Sequence, residues 1–148
     1  MAVFLSLVLG SLAARAVGWL GVDYVDTWPA AIAVGLAVMF TMTGVAHFVP
    51  AMRRDMIAIV PPQLPRPALL VTITGVLELL GAVGLLYPPT RIAAAACLFL
   101  LMLVMFPANV YASRMPSPPK SMTSRLDVRS GEEVVYLAAA VVVWVCGG

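Results

Sequence analysis

Charged residues are scarce in this chain of 148 residues. Asp, Glu, Lys and Arg make up 11% of it, 62% is hydrophobic, and the mean hydropathy is +1.01. A soluble domain carries about 25% charged residues, and a chain this short has no aqueous core large enough to bury so much apolar surface. The composition therefore predicts an integral membrane protein whose main partner is the lipid bilayer. The net charge of +2 is too small and too scattered to indicate nucleic-acid binding.

Histidine and cysteine are equally scarce, with one and two residues. Cys97 and Cys146 lack CxxC spacing and lie among apolar residues, so we expect no dithiol redox motif, and we interpret both as small apolar side chains. One histidine cannot supply the two facing histidine ligands of a haem. Because it lies at the predicted membrane interface, we also expect no Ser/His/Asp catalytic set. A glycine-rich phosphate loop is also missing. We expect no metal site and no encoded cofactor, and the chain does not have the parts of a self-sufficient enzyme.

Long apolar runs dominate instead. A bilayer core of about 30 Å needs about 20 apolar residues in a helix; four runs meet this length, and a fifth is shorter. Ser130 and Glu133 in "SGEE" have the spacing of a capping box, which favours a start of the fifth helix near residue 131, and "YPPTR" reads as a tight turn. The sequence predicts an all-α membrane protein with five spans. They are an N-terminal helix with its outer turn (1–28), then a four-helix bundle (29–148) with spans at about 29–49, 67–87, 92–113 and 131–146.

Basic residues predict the orientation of these spans. Seven lie in the connections 50–66 and 114–130, and Arg91 is the only one in a loop on the opposite side. The excess of positive charge on one side indicates that the N-terminus and both long loops are cytoplasmic and that the C-terminus is outside. The seven are Arg53, Arg54, Arg66, Arg114, Lys120, Arg125 and Arg129. Five aromatic residues then fall at the outer interface, namely Trp19, Tyr24, Trp28, Tyr87 and Trp144.

The first cytoplasmic connection carries a short pattern of its own. In "AMRRDMIAIV", Met52 and Met56 recur at helical spacing opposite Arg53 and Arg54. This pattern predicts a short helix on the inner membrane surface with its arginines near anionic headgroups. An unstructured loop is the alternative. The prolines of "PPQLPRP" prevent the helix from continuing into the next span.

Glu78 is the most informative single residue. It lies about 16 Å into the third span at 1.5 Å per residue, where a carboxylate is costly and normally faces protein. Gly75 and Gly81 give it a face that a neighbouring helix can approach closely. Arg15 lies at a similar depth, about 20 Å into the first span, so we expect an Arg15–Glu78 ion pair. The alternatives are a neutral Glu78 and a pair that only fixes helix packing.

His47 and Asn109 form a second candidate group. They lie near the cytoplasmic ends of the second and fourth spans, so we expect them to face each other, about 10 Å from Glu78 along the membrane normal. An interfacial histidine relays protons, binds a headgroup, or is an ordinary hydrogen-bonded residue. Several methionines cluster toward the cytoplasmic half of the predicted bundle and indicate either a flexible ligand pocket or gap-filling core. They are Met39, Met42, Met52, Met56, Met102, Met105 and Met115.

Residues 43–112 carry a set of motifs in a fixed order. Gly44 precedes "HF" at 47–48; then come "PPQLP" at 61–65, "TGVLELLGAVGLL" around Glu78, "PPTR" ending in Arg91, and "FPAN" at 106–109. In content, order and spacing this stretch resembles the DoxX family of small bacterial integral membrane proteins. The first helix, which carries Arg15, is additional to the part that resembles the family. The last helix resembles it only weakly.

The resemblance implies a four-helix bundle with His47, Glu78, Arg91 and Asn109 as its characteristic polar positions. It also implies a place in the bacterial inner membrane as a subunit or anchor of a quinone-linked or oxidative-stress redox complex. Electrons would then come from a redox partner at the cytoplasmic face, with a quinone as the expected ligand and a homo-oligomer as one form of assembly. Two alternatives stay open: a scaffold or assembly factor without catalysis, and a small-molecule carrier that uses Glu78.

Overall fold

All regular structure in the described part of the chain is helical. The computed structural model describes residues 1–117, 119 and 126–147, which form six α-helices and one short 3₁₀-helix, Asp23–Val25. The α-helices are α1 (Ala2–Trp19), α2 (Trp28–Ala46), α3 (Pro50–Ala58), α4 (Pro67–Leu86), α5 (Pro88–Arg114) and α6 (Leu126–Cys146). Within these ranges, α1, α2, α4 and α5 are long and apolar enough to cross a membrane. The predicted all-helical class and the first four long helices are confirmed.

Proline and threonine define where several helices begin. Thr27 caps α2, and its side chain accepts a hydrogen bond from the backbone N–H of Ala30 at 3.3 Å. Proline is the first residue of α3, α4 and α5, a position that needs no backbone N–H donor. The predicted turn "YPPTR" is therefore wrong in extent. Helix α5 already begins at Pro88, and only Tyr87 separates it from α4.

Helix α6 begins earlier than its sequence pattern indicated. It starts at Leu126, so Ser130 and Glu133 lie inside the helix and do not form the predicted cap. A capping pattern of four residues is a short local signal, and a helix that continues upstream of it overrides that signal. Of the basic residues used to predict orientation, Lys120, Arg125 and the Arg129 side chain lie outside the described residues.

Helix α2 occupies the centre of the bundle. It packs against α1, α4 and α6, while α5 packs between α4 and α6. Because lipid surrounds the bundle, large apolar side chains cover its outer surface, and only those at the helix contacts are buried. The largest fully buried side chains are Leu36, Met39, Leu85, Leu98 and Val143.

Glycine permits the closest helix contacts. A Cβ atom added at Gly35 of α2 would lie 2.0 Å from Oγ of Ser11 and 2.6 Å from the carbonyl oxygen of Leu7, both on α1. One added at Gly81 of α4 would lie 2.5 Å from a methyl carbon of Leu98 on α5. Backbones approach this closely only where one side chain is absent, as is common between membrane helices.

The short helix α3 is confirmed, but Arg53 does not project toward the membrane surface as predicted. Its guanidinium donates to the carbonyl oxygens of His47 at 3.2 Å and Ala68 at 3.0 Å, and to Oγ1 of Thr72 at 2.8 Å. These bonds hold α3 against the end of α2 and the first turns of α4. Arg54 is exposed.

The close contact between α1 and α2 leads to a stability prediction. Gly35→Ala forces the two helices apart, so we expect the free energy of unfolding to fall by about 1–3 kcal/mol, the usual cost of overpacking. Gly131→Ala is the matched control, because a Cβ there meets nothing within 4 Å. Thermal unfolding in mild detergent, followed by circular dichroism, measures both variants. Equal melting temperatures for the two would contradict the close contact.

Candidate functional site

Glu78 is buried among protein atoms, with 4% of its surface exposed. The hydroxyl of Thr43 donates to its Oε2 at 2.6 Å. On the other side, Nε2 of His47 lies 3.9 Å from Oε1. The prediction that Glu78 points into the bundle is confirmed, and its neighbours both come from α2.

Helix geometry explains why His47 and Glu78 meet, although their positions along the sequence predicted about 10 Å between them. In the first half of α4, Gly75 faces His47 at the end of α2. At the other end of α4, Leu86 lines a groove together with Val34, which lies in the first half of α2. Helices α2 and α4 therefore run antiparallel. Side chains lean toward the N-terminus of their own helix. His47 lies level with Gly75, three residues or about 4.5 Å from Glu78 along the helix axis. Glu78 leans toward the α2–α3 corner and His47 leans away from it, so the two side chains meet.

Glycine also makes room for this meeting. A Cβ atom at Gly75 would lie 2.5 Å from Cβ of His47, and one at Gly44 would lie 3.3 Å from Cβ of Glu78. His47 is 3% exposed, and its Nδ1 lies 2.9 Å from the carbonyl oxygen of Thr43. The imidazole is thus held between the backbone of its own helix and the carboxyl group of α4.

A cavity of about 120 Å³ lies beside Glu78 and receives residues from α1, α2, α4, α5 and α6. One part of its wall is apolar, formed by Val3, Met39, Phe40, Met102 and Met105. The other part is polar, formed by Thr43, Glu78, Asn109, Glu133 and Tyr136. Glu78 and Asn109, which their positions along the sequence separated by about 10 Å, both line this cavity. Three of the predicted cluster of methionines line it as well.

Tyr136 adds a hydrogen-bonding group that sequence reasoning missed. It is 8% exposed, and its hydroxyl has no hydrogen-bond partner within the part of the chain that the structure describes. An unpaired buried hydroxyl costs about 1–3 kcal/mol, so a ligand or water in the cavity that accepts from it would be stabilised. Glu133 lies three residues before Tyr136, and this spacing places both on one face of α6.

Arg15 does not pair with Glu78; that prediction is wrong. Its Nη1 lies 3.3 Å from Oδ1 of Asp26, and its guanidinium carbon lies 5.1 Å from the ring centroid of Trp19 and 5.8 Å from that of Trp28. Arg15 is four residues before the end of α1, close enough for its long side chain to reach the polar interface rather than the bundle interior.

Arg91 lies at the same end of the bundle as Arg15. It is 6% exposed, its Nε donates to the carbonyl oxygen of Leu85 at 3.1 Å, and its guanidinium carbon lies 5.1 Å from the ring centroid of Tyr24. The hydroxyl of Tyr24 in turn donates to the carbonyl oxygen of Leu86. The candidate residues thus divide between this end of the bundle, with Arg15 and Arg91, and the site around Glu78.

Metal and thiol chemistry find no support at this site. Among residues 1–117, 119 and 126–147, no three His, Cys, Asp or Glu side chains are grouped to hold a metal ion. Cys97 and Cys146 are unpaired and exposed. The chemistry of the site is that of carboxyl, hydroxyl, amide and imidazole groups beside an apolar wall.

The hydrogen bond between Thr43 and Glu78 yields a second prediction. Thr43→Val removes the donor and leaves a buried carboxyl oxygen unsatisfied, so we expect the free energy of unfolding to fall by about 1–3 kcal/mol. Thr41→Val is the control, because its exposed hydroxyl donates only to its own helix, at the carbonyl oxygen of Ala37. Thermal unfolding in detergent compares the two. A loss of similar size in both variants would show that the bond contributes nothing specific.

Comparison with known proteins gives one finding. A family model, described as a domain of unknown function, DUF8561, matches residues 36–145. The match includes His47, Glu78, Arg91 and Asn109 but not Arg15. No curated protein and no solved structure matches the chain at the threshold of the comparison. The family match covers well over half of the chain, so the protein belongs to the DUF8561 family.

Proposed function

We propose that this protein is a multi-pass, DoxX-like protein of the bacterial inner membrane that acts as a membrane subunit or anchor of a redox complex and binds a quinol ring in the bundle cavity. The observation that carries the proposal is the two-sided cavity, with carboxyl, amide and hydroxyl groups on one part of its wall and methionine and phenylalanine on the other. The order of motifs in residues 43–112 supports the proposed relation to the DoxX family.

The hydrogen-bonding groups of the cavity suit both redox forms of a quinone. The O–H groups of a quinol donate to carboxyl oxygens, which Glu78 and Glu133 supply. The carbonyl oxygens of the oxidised ring accept from the unpartnered hydroxyl of Tyr136. The ring face lies against Met39 and Met102, since thioether groups contact aromatic rings favourably.

The size of the cavity limits the ligand to a single ring. A protein cavity of about 150 Å³ accepts benzene, and the cavity here is about 120 Å³. Methionine side chains adopt several shapes, so their rotamers supply the remaining space. We expect no cofactor in this chain, so the electrons that reduce the bound quinone come from a cofactor of the partner protein, which binds at the cytoplasmic face beside α3 and its exposed Arg54.

The topology that accompanies this proposal has five spans, with α6 as the fifth. Helix α6 has 21 residues, or about 31 Å at 1.5 Å per residue, and Ala140 and Val143 are fully buried against the bundle. Its charged residues lie near its first turns, at the cytoplasmic end of the proposed arrangement. The N-terminus and α3 are then cytoplasmic, and the C-terminus is outside.

A carrier of protons or small cations is the second candidate function. The observation that favours it is the presence of Glu78 and Glu133 in one cavity, because two carboxyl groups at close quarters bind a proton or a cation between them. Flux into proteoliposomes that Glu78→Gln abolishes would select this function over the first.

Quinone content tests the primary proposal. Tagged protein purified in mild detergent should retain quinone, measured by mass spectrometry of the extracted lipid, together with a stoichiometric redox partner. Glu78→Gln should lower the quinone content by about twofold to tenfold, since a hydrogen bond contributes about 0.5–1.5 kcal/mol. Leu80→Val is the control, because Leu80 is 63% exposed on the lipid side of α4. Phospholipid alone in the wild-type extract would exclude the quinol site.

Cysteine labelling tests the orientation. In a chain carrying Cys97→Ala and Cys146→Ala, we expect a membrane-impermeant thiol reagent to label Tyr87→Cys in intact spheroplasts. The same reagent should label Arg54→Cys only after permeabilisation. Both positions are exposed in the structure, so access depends on the side of the membrane. The reverse pattern would place α3 outside.

A further inference from the structure

The hydrogen bond at Nδ1 fixes the tautomer of His47. A backbone carbonyl oxygen only accepts hydrogen bonds, so the 2.9 Å contact with Thr43 requires Nδ1 to carry its hydrogen. In the neutral ring, Nε2 then has a lone pair and no hydrogen. That lone pair is on the nitrogen that faces Oε1 of Glu78 at 3.9 Å.

Glu78 stands between the cavity and this lone pair. Its carboxyl group lines the cavity, whereas His47 does not. The hydroxyl of Thr43 donates to Oε2, which leaves Oε1 on the side of the imidazole. His47 itself caps the end of α2 where the chain turns into α3. The order from the bundle interior to the corner between α2 and α3 is therefore cavity, Glu78 and His47.

We propose that Glu78 and His47 form a proton-transfer pair between the cavity and the α2–α3 corner. A small rotation of the two side chains closes the 3.9 Å between Oε1 of Glu78 and Nε2 of His47. The O–H bond of the Glu78 carboxyl group then breaks and the Nε2–H bond of His47 forms, giving a carboxylate and an imidazolium ion. The reverse step returns the proton to Oε1 and restores the neutral pair. The exchange moves one proton between the two residues and oxidises nothing.

The charges around the pair make the transferred state brief. Arg53 on α3 donates to the carbonyl oxygen of His47, so its positive charge opposes an imidazolium ion. Glu133 on α6 lines the same cavity and opposes a carboxylate at Glu78. The cavity residues of α5 and α1, Asn109 and Val3, carry no charge. The neutral pair is thus the resting state, an arrangement suited to passing a proton rather than holding it.

Two glycines and one threonine position the pair. Helix α4 approaches His47 closely because Gly75 lacks a side chain. In the same way, the absence of a side chain at Gly44 lets α2 approach Glu78. Thr43 contributes its carbonyl oxygen to Nδ1 of His47 and its hydroxyl to Glu78. Thr43 is thus a positioning residue that orients both partners. The inference rests on the proposed function only for the ligand that exchanges the proton in the cavity, which is the quinone that takes it up as the partner protein supplies electrons.

Nitrogen-15 NMR tests the pair directly, because His47 is the only histidine in the chain. Protein labelled with ¹⁵N-histidine and free of added quinone gives signals from this one ring. We expect a neutral ring with hydrogen on Nδ1, the less common tautomer in water, and protonation at Nε2 as the pH falls. Glu78→Gln should shift the Nε2 resonance and leave Nδ1 nearly unchanged. A neutral ring with hydrogen on Nε2 would overturn the proposal.

Matched variants separate the pair from general structural change. Glu132 on α6 accepts a hydrogen bond from the N-terminal ammonium group of Met1 at 2.9 Å. Glu132→Gln therefore removes a carboxyl group outside the pair and should leave both ring signals in place. Gly75→Ala should displace the ring and move Nε2 in the same direction as Glu78→Gln, so this variant serves if Glu78→Gln does not fold. An Nε2 signal that responds equally to Glu132→Gln and Glu78→Gln would also overturn the proposal.

Infrared spectroscopy gives the complementary reading from the carboxyl group. A protonated carboxyl band should be absent in Glu78→Gln and shifted in His47→Asn, and an unshifted band in the latter contradicts transfer to the ring. None of these measurements needs bound quinone. Protein with the expected tautomer and Glu78 dependence but no quinone would support the pair and contradict the quinol site alone.

Discussion

The close approach of α2 and α4 is the contact on which the rest of the structure depends. Lipid offers no hydrogen bonds, so a carboxyl group inside the bundle must find its partners on neighbouring helices. Helix α2 provides two of them one turn apart, Thr43 and His47, and Gly44 and Gly75 remove the side chains that would keep the helices separate. The polar contacts of Glu78 with Thr43 and His47 lie beside the bundle cavity, which Thr43 and Glu78 line.

The polar residues are divided between the two ends of the bundle by their chemistry. Arg15 and Arg91 lie at the end of the bundle away from the α2–α3 corner, where tryptophan and tyrosine rings cover their guanidinium groups. Glu78 and Tyr136 line the cavity, and His47 lies behind Glu78 on the side of the corner. The carboxyl and hydroxyl groups of the cavity are able to donate and to accept hydrogen bonds, whereas a guanidinium group only donates.

Sequence reasoning identified the helices well and the side-chain partners poorly, for physical reasons. The cost of a carboxylate in lipid was enough to predict that Glu78 is buried. Its partner was not predictable from depth, because counting residues assumes that neighbouring helices end at the same height. His47, at the end of α2, is level with Gly75, eight residues after the start of α4. For Arg15, depth predicted a contact with Glu78 that does not form, because its long side chain extends toward the end of α1 and pairs with Asp26. Tyr136 sits in an apolar run and carries no pattern of its own, so only the fold reveals its unpaired hydroxyl.

The first helix has a different relation to the site from the others. It lies outside the family match and gives the cavity one apolar residue, Val3, while every polar group there comes from α2, α4, α5 and α6. Its close contact with α2 is at Gly35, one residue before the matched range begins, and its charged residue, Arg15, pairs with Asp26 away from the cavity. Helix α1 therefore packs against one side of α2 and leaves the side that carries Thr43 in contact with Glu78. All the polar residues that line the cavity lie within the range that the family model matches.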